Sequence, residues 1–208
     1  MEAHVDRASC EAREVTYSFL SHMFLEEVTE EFLARLAERP PQLEGELGRF
    51  VAELPSADLA SVRTEAAAEF AALLLNMSAD PVFPYESVYT SAERLLMQKA
   101  RDEVLADYRS SGFERAGDLN VPEDHVAIEF EFMARLCRKE LDAASAGDDA
   151  AADTAHEAQR AFARDHLLTW VPQLCDDLER RAKLGLYRGL AETTRQFLEF
   201  EREELALA

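Results

Sequence analysis

The sequence predicts an all-α fold, and three observations predict it. Apolar residues recur at three- and four-residue spacing through most of the 208-residue chain, which is the period of one helix face. Glycine and proline are scarce, seven each, and cut the chain into helix-length blocks at Pro40-Pro41, Pro55, Pro81/Pro84, Gly112/Gly117, Gly147 and Gly185. No block alternates every second residue with β-branched enrichment, so a sheet has no source. The expected architecture is one globular multi-helix domain over 1–208, either a single body or two closely packed lobes, 1–111 and 122–208, hinged near 112–121.

Taken in order, the blocks predict helices at 6–27, 30–38, 41–53, 57–77, 91–111, 122–145, 154–169, 172–184 and 186–204. In the first, Val15, Phe19 and Met23 mark the apolar face. Thr90-Ser-Ala-Glu93 and Thr154-Ala-His-Glu157 have the capping-box form and predict two helix starts. Leu95 and Leu96 with Lys99 and Glu103 give the fifth helix a mixed face. Pro122 suits a first helical turn, with Glu123 and Asp124 at the positive end of the dipole. Val126, Phe130, Met133 and Cys137 follow as the clearest apolar stripe. Residues 143–153 read as a plain solvated loop, whereas 78–90, with two prolines and three aromatics, reads as an extended segment near the surface.

Composition narrows the function. A net charge of −20 repels phosphate backbones and anionic lipid surfaces, so no nucleic-acid partner is expected. No apolar stretch reaches the length that spans a membrane, so direct membrane insertion is not expected. Cys10, Cys137 and Cys175 are an odd number, far apart and without Cys-x-x-Cys spacing; they read as reduced thiols of a cytoplasmic protein. An acidic N-terminus, with Glu2, Asp6, Glu11 and Glu14, is unlike a secretory signal.

Motifs for catalysis are missing. The sequence has no phosphate loop, no Gly-x-Gly-x-x-Gly, no Gly-x-Ser-x-Gly and no His-Glu-x-x-His. None of His4, His22, His125, His156 and His166 stands three residues after a glutamate, so a di-iron helix pair is absent. No metal, cofactor or catalytic residue is expected, and the protein is read as a non-enzyme.

The sharpest local feature is Val121-Pro-Glu-Asp-His125. On a helix from Pro122, His125 and Glu129 face one another at i,i+4 beside the buried stripe, and Asp124 points to solvent. Such a group reads either as a buried His–Glu hydrogen bond with capping acids, or as a polar cluster placed to receive a ligand's donors. Tyr85 and Tyr89, four apart in the aromatic segment, fit loop packing and ligand contact equally. Phe162, His166 and Trp170 form a stripe at helical spacing that reads first as core.

Four stretches in order resemble the TorD/DmsD/NarJ family of redox-enzyme maturation chaperones. They are Arg13–Phe24, Pro84–Ser91, Val121–Met133 and Phe162–Pro172, spread over a likeness from about residue 10 to 200. The family signature often reads Glu-x-x-x-Glu-Pro-x-Asp-His; here Gly117 and Val121 hold the two glutamate positions, so only Pro122, Asp124 and His125 carry over. The resemblance implies a helical chaperone that binds the twin-arginine signal peptide of a molybdenum-containing oxidoreductase subunit. It would hold the subunit, folded part included, until its cofactor is loaded.

The expected contact set is Tyr85, Ser87, Tyr89, Asp124, His125 and Trp170, supported by Pro122 and Glu129, in a monomer or homodimer. Burying some 300 Å² of the peptide's apolar run would contribute about 7 kcal/mol before ordering costs. Acidity then serves mainly to speed encounter with a cationic leader. Two rival readings stand beside this one. One is a nucleotide-dependent helical switch or hydrolase using Asp124, His125 and Glu129; the other is an acidic scaffold for a basic partner.

Overall fold

The computed structural model describes residues 6–40, 44–114 and 121–207. Ten α-helices run through them: α1 (Arg7–Leu25), α2 (Glu30–Glu38), α3 (Gly45–Glu53), α4 (Leu59–Leu74), α5 (Glu86–Thr90), α6 (Lys99–Ser110), α7 (Val126–Ala146), α8 (Asp149–Phe162), α9 (Leu168–Arg181) and α10 (Gly185–Glu204). A 3₁₀ turn at Leu54–Ser56 follows α3, and a π turn at Ala163–Leu167 joins α8 to α9. Among the described residues there is no strand, only an isolated antiparallel bridge between Tyr85 and His125. The all-α expectation holds.

Two compact units divide the chain. The first comprises residues 1–22, 85–171 and 200–208; the second comprises 23–84 and 172–199. Each therefore draws on separated stretches, a division different from sequential lobes at 1–111 and 122–208. Most of the expected hinge, 115–120, lies outside the described residues, as do 41–43 at the start of the third expected helix.

In the first unit the α7 stripe forms as expected, with Val126, Phe130, Met133 and Cys137 all buried. An aromatic cluster of Tyr108, Phe113, Phe132 and Phe162 packs beside it at centroid separations of 4.7 to 6.1 Å. The expected face of α1 is corrected. Val15 is exposed and Phe19 half-buried, so of the expected face Met23 alone is buried; within this unit the buried face carries Cys10, Arg13, Tyr17 and Leu20. Its polar members are pinned: Arg13 makes a two-point ion pair with Glu201 at 2.6 and 2.8 Å. Tyr17 donates to the same carboxylate at 2.7 Å, and Ser21 donates to the Ala127 carbonyl at 2.7 Å.

In the second unit α10 lies close to α3. Gly189 permits the approach, because a Cβ there would run into the Leu47 backbone. Tyr187 donates to the Ala66 carbonyl at 2.8 Å and stacks near Phe70. The Glu69 carboxylate accepts the amides of Lys183 and Leu184 before α10 begins.

Several expected boundaries move, each for a local physical reason. Helix α6 starts at Lys99 rather than near 91; Leu95 and Leu96 precede it, exposed, and the Thr90 hydroxyl donates to the Glu86 carbonyl instead of capping a new helix. Residues 143–153 are mostly helical: Gly147 ends α7 in the left-handed region, and the Asp148 carboxylate caps α8 by accepting the Ala151 amide at 3.0 Å. Thr154 therefore lies inside α8, bonded back to the Ala150 carbonyl. Pro172 lies within α9 rather than opening a helix; it offers no amide to the Leu168 carbonyl.

Candidate functional site

The residues singled out in the sequence meet in the first unit. Pro122 to His125 forms a tight turn, closed by the His125 amide donating to the Pro122 carbonyl at 3.2 Å. The following helix starts at Val126 with His125 as its N-cap, the ring Nδ1 accepting the Ala127 amide at 3.1 Å. Pro122, Glu123 and Asp124 thus precede the helix. The expectation of a first-turn proline with capping acids is corrected.

The turn is anchored from α6. Arg101 pairs with Glu123 at 2.6 Å and the Tyr108 hydroxyl donates to the Glu123 carbonyl at 3.1 Å. Asp124, expected to face solvent, is fully buried. Its carboxylate accepts the Ser87 amide at 2.9 Å, and its carbonyl accepts the Glu86 amide at 2.9 Å. Those are the first amides of α5, so a carboxylate 37 residues away caps this one-and-a-half-turn helix. Of the two readings of His125 and Glu129, the hydrogen bond between them does not form, and Glu129 instead accepts the Trp170 indole N–H at 3.1 Å.

Around this junction the aromatics pair up. Tyr85 meets the His125 ring edge-on at 5.0 Å, and Tyr89 lies 5.5 Å from Trp170, with the Arg94 guanidinium over the Tyr89 ring. Tyr85, Tyr89 and Pro122 keep part of their surface, whereas Ser87, Asp124, His125, Glu129 and Trp170 are buried. A cleft of about 650 Å³ lies in the second unit, lined by Glu65, Glu69, Asp80, Arg180, Arg181 and Lys183 among others.

Two residues that sequence spacing did not associate with this group lie against it. Glu86 and His166 are 80 positions apart, yet His166 Nδ1 lies 2.8 Å from Glu86 Oε2, and its Nε2 lies 3.2 Å from Asp107 Oδ2. No local pattern links them; the Phe162–His166–Trp170 stripe flagged only the histidine.

Electrostatics follow from burial. Glu129 is held well above the usual carboxylate range, first by burial and then by the charges of Glu86 and Asp124. Its Oε1 and the Asp124 Oδ1 are buried without a hydrogen-bond partner among the described residues, and a neutral Glu129 lessens that cost. Burial lowers His125 to about 3, so its ring is neutral at physiological pH. His166 differs: burial pulls it down, but the hydrogen bond to Glu86 and the charges of Glu86 and Asp107 outweigh this and raise it.

Past the junction the chain surfaces. Residues 91–98 carry Leu95, Leu96 and Met97 at 56, 42 and 60% exposure. Arg94 and Met97 adopt positive φ of 52° and 59°, a conformation costly for such residues and met at ligand-contacting loops. The segment is held at its end by the Gln98 amide donating to the Ser87 hydroxyl at 3.0 Å.

With that geometry in hand, comparison with known proteins is direct. The sequence model of the nitrate reductase delta subunit family matches residues 37–176. Chaperone protein TorD of Vibrio cholerae is 32% identical over 204 residues, covering 92% of this chain and 91% of that protein. The TorD of Vibrio vulnificus is 28% identical over 198 residues, covering 88% and 89%. A solved chain from Archaeoglobus fulgidus, described as a redox enzyme maturation protein, shares the fold with a TM-score of 0.51 over 96% of each chain at 18% identity. The class is that of the helical redox-enzyme maturation chaperones. The chain belongs to the nitrate reductase delta subunit family, with TorD chaperones among its relatives.

Among the described residues no helix is long and apolar enough to cross a membrane, and no group of His, Cys, Asp and Glu side chains is arranged to hold a metal ion.

Proposed function

We propose that this protein is a cytoplasmic chaperone, without turnover of its own, for a molybdenum-containing oxidoreductase subunit. It binds the subunit's twin-arginine leader and holds the subunit until cofactor loading and assembly. The observation that carries this reading is the exposed apolar run Leu95-Leu96-Met97, on a backbone tied to Ser87 through the Gln98 amide and following Arg94, whose guanidinium lies over the Tyr89 ring. Three large apolar side chains left roughly half exposed are an unusual expense in a soluble monomer and suit a partner's apolar segment.

In this reading Tyr85, Tyr89 and the 95–97 run touch the leader's apolar stretch. Ser87, Asp124, His125 and Trp170 fix the segment from behind, with Pro122 and Glu129 supporting them. Covering the exposed half of three such side chains contributes about 3 kcal/mol gross. The remainder comes from the rest of the leader and from attraction between its cationic end and a protein of net charge −20. Relatives named as TorD chaperones support a chaperone role.

Calorimetric titration with a synthetic twin-arginine leader, and with the same peptide carrying Lys-Lys, tests the proposal. Saturable binding of the Arg-Arg peptide, weaker for Lys-Lys, is expected. Absence of binding, or equal affinity for both, overturns it.

A further inference from the structure

Helix α5 has five residues, too few to persist without outside support. Its position, and with it the course of Tyr85 to Met97, is imposed by what holds it. One hold is Asp124 on the Glu86 and Ser87 amides. Another is the Ser87 hydroxyl, which accepts the Gln98 amide and so fixes the far end of the exposed run. The third is the Glu86 carboxylate on His166, both side chains buried.

That third hold differs in kind from the others. With both ring nitrogens protonated, His166 donates to Glu86 on α5 and to Asp107 on α6 at once. With one proton lost, one of these carboxylates faces a ring lone pair. The two charged groups in contact with the ring are both carboxylates. Glu86 and Asp107 contact it directly, and Asp165 neighbours it in the π turn, itself paired with Arg164. Asp124 and Glu129 stand behind Glu86, and the Phe162 ring covers the imidazole at 4.6 Å. Removing the positive charge takes from the buried Glu86 the cation it faces, with the Asp124 carboxylate nearby.

We propose that His166 and Glu86 are positioning residues for leader binding. Their contact holds the Tyr85–Met97 segment in its peptide-accepting course, and leader affinity follows the protonation of His166. This rests on the leader-binding reading above. The sign is fixed by linkage: a histidine raised in the folded state gives its full contribution below the unfolded value of about 6.5. That contribution is lost as pH rises through the raised folded value. Affinity therefore declines toward alkaline pH.

The test uses the full chain and a fluorescent, histidine-free, N-acetylated twin-arginine leader peptide, titrated between pH 6 and 9. Wild type is expected to lose on the order of tenfold in affinity across that range, the scale of one weakened charge-assisted hydrogen bond. His166→Gln and Glu86→Gln, each checked for native circular dichroism, bind near the alkaline wild-type level throughout, with a flat profile. A wild-type slope that persists unchanged in both variants overturns the proposal, as does a flat wild-type profile.

Should the peptide bind no protein at any pH, the leader reading fails and hydrogen exchange decides separately on the His166–Glu86 contact as a latch on α5. Protection of the Ser87 and Gln98 amides, corrected for intrinsic exchange, falls with rising pH in wild type and not in His166→Gln if the latch exists. Identical protection in the two proteins removes it.

Discussion

Replacing Arg13 by leucine leaves the Glu201 carboxylate buried with, among the described residues, the Tyr17 hydroxyl as its remaining side-chain partner. In the native protein Arg13 and Glu201 are 3 and 0% exposed and meet at two points, 2.6 and 2.8 Å apart. Burial works against the Arg13 charge, yet the bond to Glu201 outweighs it and strengthens proton binding; Tyr17, buried beside that carboxylate, keeps its proton far above the ordinary range. Breaking a buried pair from one side costs about 3–5 kcal/mol. Replacing both partners by apolar residues of similar size costs far less, because no charge is stranded. The double variant Arg13→Leu with Glu201→Met is therefore expected to recover most of the loss, a coupling of about 3 kcal/mol in the mutant cycle. The assay is urea unfolding followed by fluorescence of Trp170, the single tryptophan, which sits in the same compact unit as the pair. An Arg13→Leu cost below about 1 kcal/mol, or a double variant no better than the single, would refute the reasoning.

Three further outcomes are expected. Gly189→Ala drives a methyl into the Leu47 backbone and lowers stability by about 1–3 kcal/mol, read as a lower unfolding midpoint; an unchanged midpoint contradicts the close helix approach. His125, lowered to about 3 by burial, works oppositely to His166: the neutral ring's contribution is present above about 6.5 and lost as pH falls toward 3. Its imidazole resonance should show no titration between pH 5 and 8, and a midpoint near 6.5 would mean that the ring is solvated. All three thiols are buried, with Cys137 pushed up by its bond to Cys10 and by burial, and Cys175 raised to about 12 by burial. A disulfide-exchange reagent should label none in the native protein and all three on unfolding, and prompt native labelling refutes this.

The sequence made the helices legible wherever an uninterrupted apolar period ran through them. Val126, Phe130, Met133 and Cys137 were correctly read as one buried stripe because each lies inside α7. Asp124 was misread for the same reason: extending that period back to Pro122 pointed it at solvent, although the helix starts only at Val126. Ends fixed by distant partners left no local mark. The start of α5 depends on Asp124, and the exposed run before α6 is tied at its end to Ser87.

The candidate residues were legible in the sequence, and the way they pack was not. Tyr85, Ser87, Tyr89, Asp124, His125 and Trp170 do assemble, but most of them are buried and grip one another. Glu86 went unmarked and His166 was read only as part of the Phe162–His166–Trp170 stripe, because residues 80 apart share no spacing signal. Part of the family likeness proves structural: Arg13, Tyr17 and Ser21 in the first resembling stretch all pin α1 within its unit.

The most direct trial of leader capture is to place a photoreactive side chain at position 96, irradiate with the bound twin-arginine peptide, and sequence the adduct. A crosslink to the leader's apolar stretch, competed away by unlabelled peptide, is the predicted result. A peptide that binds with full affinity yet crosslinks only from a control position, such as 68 in the second-unit cleft, would contradict the account.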